Sequence, residues 1–122
     1  MSPMAVAPVC QFGDPLLLTC STNGTILRWI FTVRNYQGRL QEYSRFISQD
    51  VTQQTQESEI TVNSTAFTFM RTSAQGHSPL ISTLVINSVN SELNGTVVNC
   101  ENVGTSMTAS TTIRIFDLSM YH

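Results

Sequence analysis

Apolar residues in this chain recur at every second position, in short runs, and hardly ever at helical spacing. Leu16, Leu18 and Cys20 share one parity, as do Leu27, Trp29, Phe31 and Val33, with Arg28, Ile30, Thr32 and Arg34 between them. Phe67 and Phe69 repeat the pattern, then Leu84 and Ile86, then Ile113 and Ile115 around Arg114. Period 2 with one apolar face is the mark of a strand packed on one side only. Gly, Asn, Pro and Ser divide the runs, and no long segment carries a helical period. The pattern predicts strands over Met4–Cys10, Pro15–Cys20, Ile26–Asn35, Leu40–Ile47, Ile60–Asn63, Thr65–Thr72, Leu80–Asn87, Gly95–Glu101 and Met107–Phe116. The polar stretch Gln49–Glu59 reads as a loop or weak edge strand. Sheets with one apolar face must bury it against each other, so the expected fold is all-β, a sandwich of two antiparallel sheets. Its core should hold Leu16, Leu18, Leu27, Trp29, Phe31, Phe67, Phe69, Leu84, Ile86, Val98, Ile113 and Ile115.

Composition agrees and removes several function classes. The length, 122 residues, suits one domain over residues 1–122. The 14 Ser and 16 Thr favour strands and turns over helices. Charged residues make up 11%, the net charge is −2, and all six basic residues are Arg. That balance argues against a nucleic-acid binder or a polybasic membrane binder. Without Lys there is no Schiff base and no P-loop lysine. No apolar stretch approaches the ~20 residues that span a bilayer. Met1–Cys10 lacks the basic and long apolar regions of a signal peptide, so an extracellular setting would make the chain a mature fragment or excised domain.

Neither catalysis nor metal binding finds a constellation. His77 lies in a Gln-Gly-His-Ser-Pro turn and His122 ends the chain, and no G-x-S-x-G or phosphate loop occurs. Glu57 and Glu59 could share a strand face, but a Ca²⁺ site needs six or more oxygens, so they read as a solvated edge. The expectation is a non-enzyme with no cofactor and no metal. The three cysteines, Cys10, Cys20 and Cys100, form no C-x-x-C pair. Cys20 and Cys100 each close a strand-like run. They are either bridged, which a loop of that length makes worth roughly 4–5 kcal/mol, or two buried thiols. Cys10 is left over, as a packed thiol or the partner of a cysteine elsewhere.

Cys20, Trp29 within the next strand and Cys100 at the end of a late one resemble the Cys…Trp…Cys signature of the immunoglobulin superfamily. Gly13-Asp14-Pro15-Leu16-Leu17-Leu18-Thr19-Cys20 is similar to the usual entry to strand B. Leu84–Val89 and Asn94–Cys100 are similar to strands E and F. The likeness covers nearly the whole chain, and the long stretch from Trp29 to Leu84 leaves room for C′, C″ and D. It implies a V-like domain with Greek-key topology, a Cys20–Cys100 bridge with Trp29 against it, and an oxidising setting. It also implies a place at the cell surface, within a larger membrane-anchored adhesion molecule or receptor. An invertebrate module, such as that of a sponge adhesion molecule or receptor tyrosine kinase ectodomain, is the expected kind.

The chain departs from the family pattern in several places. Val98 stands where the family has the tyrosine of its corner. Asn94 replaces the usual Asp, Gly104 stands without a second Gly in strand G, and the B–C loop, Ser21–Thr25, is short. Strand F carries no Arg, which argues against sialic-acid recognition.

Two sets of surface sites follow. Asn23-Gly24-Thr25, Asn63-Ser64-Thr65 and Asn94-Gly95-Thr96 are glycosylation sequons, although about two would arise by chance and Asn-Gly is also a turn signal. A sheet of strands G, F, C and C′ would turn Arg28, Ile30 and Arg34, Val97, and Arg114 and Phe116 outward. An apolar centre among arginines suits a protein partner, a second copy of the chain included. The rival expectation is a spacer domain that positions another part of a receptor.

Overall fold

The computed structural model describes residues 10–11, 13–35, 37–51, 57–105 and 107–116, with the side chains of Cys10, Ser91 and Phe116 outside the description. The elements run β1 (Cys10–Gln11), β2 (Leu16–Thr22), β3 (Ile26–Arg34), β4 (Leu40–Ser48), β5 (Ser58–Val62), β6 (Thr65–Arg71), β7 (Leu80–Ile86), a 3-10 turn (Ser91–Leu93), β8 (Val97–Asn102), β9 (Thr108–Thr112) and β10 (Ile115–Phe116). Two antiparallel four-stranded sheets result, β2-β7-β6-β5 and β4-β3-β8-β9, beside a short parallel pair, β1-β10. The all-β sandwich expected from the alternation is the fold found. Partners distant in sequence close it, with Leu16 opposite Ile86 and Leu27 opposite Asn102.

The core lies between the two inner faces. Alternation is cleanest on β2, β3 and β6, where every second residue is buried. Phe31 stacks on Phe67 and Phe69 of the facing sheet, with ring centroids 4.7 and 6.0 Å away. Trp29 is fully buried, directly beside Cys100 in the β3–β8 register. Its indole N–H donates to Ser82 Oγ at 2.9 Å, and that hydroxyl donates to the Met70 carbonyl at 2.7 Å. The one polar atom of the ring is thereby satisfied across the sheets, as burial requires. Cys20 and Cys100 are bridged and tie β2 to β8 between the sheets.

Some expectations need correction. The strand over Met107–Phe116 is two elements, because the ladder with β8 ends at Thr112 and Ile115 pairs in parallel with Cys10. Ile115 is therefore only partly buried, packed against the core from its edge. Met4–Cys10 lies outside the described residues except for Cys10. The strand over Ile60–Asn63 begins earlier and ends at Val62, because Asn63 and Ser64 form the turn into β6 with φ of 51° and 68°. A variable-type sandwich sets its fifth strand beside the fourth. Here β5 pairs with β6 in the opposite sheet, and among the described residues β4 is at an edge.

Candidate interaction face

The inner faces are filled, so the surface open to any other molecule is that of the loops and outer faces. Parity and register build the outer face of β4-β3-β8-β9 row by row. Phe46, Arg28, Glu101 and Thr108 form one row, and Ser44, Ile30, Asn99 and Ser110 the next. Glu42 and Thr32 lie beyond, then Leu40 and Arg34, with Val97 opposite Thr112 on the other two strands. The structure thus brings Arg28, Ile30, Arg34 and Val97 onto one face, as expected. Arg114 is exposed just past the end of β9. The side chain of Phe116 lies outside the described residues.

The arginines do not ring an apolar centre evenly. The Arg28 guanidinium lies 5.5 Å over the ring of Phe46 and within 3.7 and 3.9 Å of the carboxylates of Glu42 and Glu101. Such half-exposed ion pairs contribute at most about 1 kcal/mol each, but together with the aromatic ring they hold one side chain flat. Arg34 donates to the Gly38 carbonyl of its own hairpin at 2.9 Å. Ile30 is half-buried, and Asn99 beside it bonds to the Ser110 hydroxyl. The large exposed apolar side chains instead lie toward the borders, with Phe46 58%, Leu40 64%, Val97 46% and Val103 41% exposed.

Phe46 and Leu40 are the residues that alternation missed. β4 buries only Ile47 fully, so its apolar residues fall on both parities and show no face. Their outward direction comes from pairing with Arg28 and Arg34, which a single strand cannot display.

All three sequons lie in turns or bends, in different surroundings. Asn23 is exposed between β2 and β3 and makes no hydrogen bond among the described residues. The next residue, Gly24, packs so closely on Asn102 that a Cβ there would stand 2.1 Å from its Oδ1, so Asn-Gly has a steric reason here. Asn63 Nδ2, the atom a glycan would take, donates to the Arg34 carbonyl and to Glu92 Oε2, each at 2.9 Å. Asn94 Oδ1 accepts the Ile115 N–H at 3.0 Å. Asn94 also lines a shallow depression of about 410 Å³ with Arg34, Val97 and Asn99, so a glycan there would stand at the border of the outer face.

His77 is exposed in its turn, and Glu57 and Glu59 are exposed along the edge formed by β5. Among the described residues no group of three or more His, Cys, Asp or Glu is placed to hold a metal ion, and no helix is long and apolar enough to cross a membrane. Comparison of the sequence with protein-family models gives no match, and comparison with curated proteins gives none either.

Proposed function

We propose that this chain is a V-like module of the immunoglobulin superfamily and serves as a non-enzymatic recognition domain of a cell-surface adhesion molecule or receptor. One observation carries the reading: a Cys20–Cys100 bridge between facing sheets, with Trp29 beside it, leaves β4-β3-β8-β9 presenting Phe46, Ile30, Val97 and four charged groups on one outer face. Aromatic and arginine side chains at a sheet surface are the material of protein-binding patches. The disulfide is compatible with an extracellular place. A protein partner is the class this surface fits, rather than nucleic acid or a membrane, since the net charge is −2.

The test is Ile30→Glu combined with Arg114→Glu, with folding checked by circular dichroism and thermal unfolding. Loss of partner binding or of cell aggregation supports the reading, and unchanged binding rejects this face. A spacer domain is the second reading. It is favoured by the engagement of Arg28 with two carboxylates and of Arg34 with a backbone carbonyl, which leaves fewer groups for a partner.

A further inference from the structure

β4 is nine residues long and, among the described residues, has β3 on one side and no strand on the other. The hydrogen-bond phase fixes which of its groups face outward. Asn35 N–H donates to the Arg39 carbonyl at 2.9 Å and Gln49 N–H to the Thr25 carbonyl at 2.8 Å, so the odd-numbered residues of β4 bond to β3. Leu40, Glu42, Ser44, Phe46 and Ser48 then aim N–H and C=O away from it. Two side-chain bonds agree. Arg71 Nη1 donates to the Ser48 carbonyl at 2.9 Å, and Arg45 Nη1 to the Ser44 carbonyl at 2.9 Å. Arg71 closes the far end of the edge, and among the described residues only Arg45 covers a backbone group between Leu40 and Phe46.

We propose that this stretch pairs, antiparallel, with the same stretch of a second copy of the chain, joining two four-stranded sheets into one. Two copies related by an axis normal to the sheet keep their outer faces on one side, so opposed residues share parity. Centring the pairing on Tyr43 sets Leu40 against Phe46 at both ends, Glu42 against Ser44, and Gln41 against Arg45. Both strongly exposed apolar side chains of the edge are then covered by each other. The neighbouring centrings are poorer, and Gln41 at the centre sets Leu40 against Glu42. Glu42 at the centre opposes two carboxylates, Arg45 opposes two guanidiniums, and Ser44 sets Glu42 against Phe46. Like charges directly opposite destabilise a strand pair and apolar pairs support it.

Arg45 makes the contact reversible. Its guanidinium covers the Ser44 carbonyl in the single chain and must swing aside, toward Gln41 of the other copy, when the Glu42 N–H of that copy takes its place. A charged side chain over an edge is a common guard against uncontrolled pairing. An edge contact is also smaller than a standard interface, so the dimer is weak and forms at high protein concentration. The contact runs along the edge and takes from the outer face only the border side chains of β4, Leu40, Glu42, Ser44 and Phe46, leaving Ile30, Arg34 and Val97 outside it.

Sedimentation equilibrium of the full chain tests it, from low micromolar to near-millimolar concentration. The expected result is a monomer–dimer equilibrium that Ser44→Pro abolishes. The Ser44 N–H faces away from β3, so proline there removes no backbone bond to β3 and, of the side-chain bonds, only the long one of 3.5 Å from Arg28 Nη2 to the Ser44 hydroxyl. Ile30→Glu should dimerise as the parent does. Phe46→Lys should weaken the dimer about tenfold, and adding Leu40→Glu should recover most of that, because the register sets those positions against each other. This pair decides the matter if Ser44→Pro does not fold. A parent that stays monomeric throughout, or a folded Ser44→Pro that dimerises unchanged, overturns the proposal. A double variant no tighter than Phe46→Lys alone overturns the register. Loss of dimer in Ile30→Glu with retention in Ser44→Pro overturns the edge and supports the outer face instead.

Discussion

The two ends of the sandwich are closed by opposite means. At the end where β4 finishes and β6 finishes, a buried cation is the hub. Arg71 is 1% exposed, and its guanidinium donates to the carbonyls of Ser48, Gln49, Val51 and Ser73. At the opposite end, where β3 finishes and β6 begins, amides do it. Asn63 bonds to the Arg34 carbonyl and Glu92, Asn87 Oδ1 accepts the Ala66 N–H, Asn90 Nδ2 donates to Thr65 Oγ1, and Asn94 accepts from Ile115. A guanidinium carries five donors in one fixed fork and can serve several carbonyls at once. An amide serves one or two groups, so four are needed where one Arg would suffice. The lesson is about concentration of risk: at one end a single guanidinium serves four carbonyls, with Gln49 and Gln75 adding one bond each to the His77 and Asp50 carbonyls, and at the other the bonds are divided among amides.

The expected effects rank accordingly. Trp29→Ala, in the middle, sets the scale with a loss of about 3–5 kcal/mol, read from the denaturant midpoint. A loss below about 1 kcal/mol would show that the ring is not held as described. Arg71→Ala should cost about 3 kcal/mol or more, because it removes at once the guanidinium that the Ser48, Gln49, Val51 and Ser73 carbonyls share. If it costs no more than a single asparagine, the contrast between the ends fails. Asn90→Ala should cost about 1–2 kcal/mol, having lost its bonds to Thr65 Oγ1 and to the Glu92 N–H. Combining Asn90→Ala with Asn63→Ala would sharpen the point, since additive losses mean that the amides act independently. Asn23→Gln should stay within about 0.5 kcal/mol of the parent. The same ordering extends to glycans on protein secreted from a eukaryotic cell. Peptide mapping should find Asn23 occupied and Asn63 unmodified, since a sugar on Asn63 Nδ2 displaces two bonds. Full occupancy of Asn63 would show that the turn forms without them.

How much of this was legible beforehand follows from where each residue finds its partners. The strands β2, β3, β6 and β7 bury one face completely and β8 buries Val98 and Cys100 on one face, so their alternation stated both position and direction. The bridge and Trp29 were legible because each lies in such a strand. Arg71 could have been read from parity, since it continues the inward series of Phe67 and Phe69. Its charge argued for the surface, and only the carbonyls of a distant loop reverse that. Edge strands hid more. β4 is half-wet on both sides and shows no clean period, so Phe46 and Leu40 escaped notice. The choice of neighbour for β5, and the change of neighbour between β9 and β10, leave no trace in hydrophobic pattern. Both depend on where the chain has already gone.

The crossing pairs that close the sandwich also set the order in which it can form. Hairpins β3–β4, β5–β6 and β8–β9 and the β6–β7 pair join strands adjacent in the chain, and each can form early at small entropic cost. The pairs β2–β7 and β3–β8 join residues as distant as Leu16 and Ile86, or Leu27 and Asn102. They must wait until a long intervening stretch has become compact, which places the chain among slow folders. Because the bridge unites β2 with β8, one strand from each of these late pairs, the oxidised chain begins refolding with both searches already shortened. Reduction should therefore slow the approach to the native state as well as destabilise it.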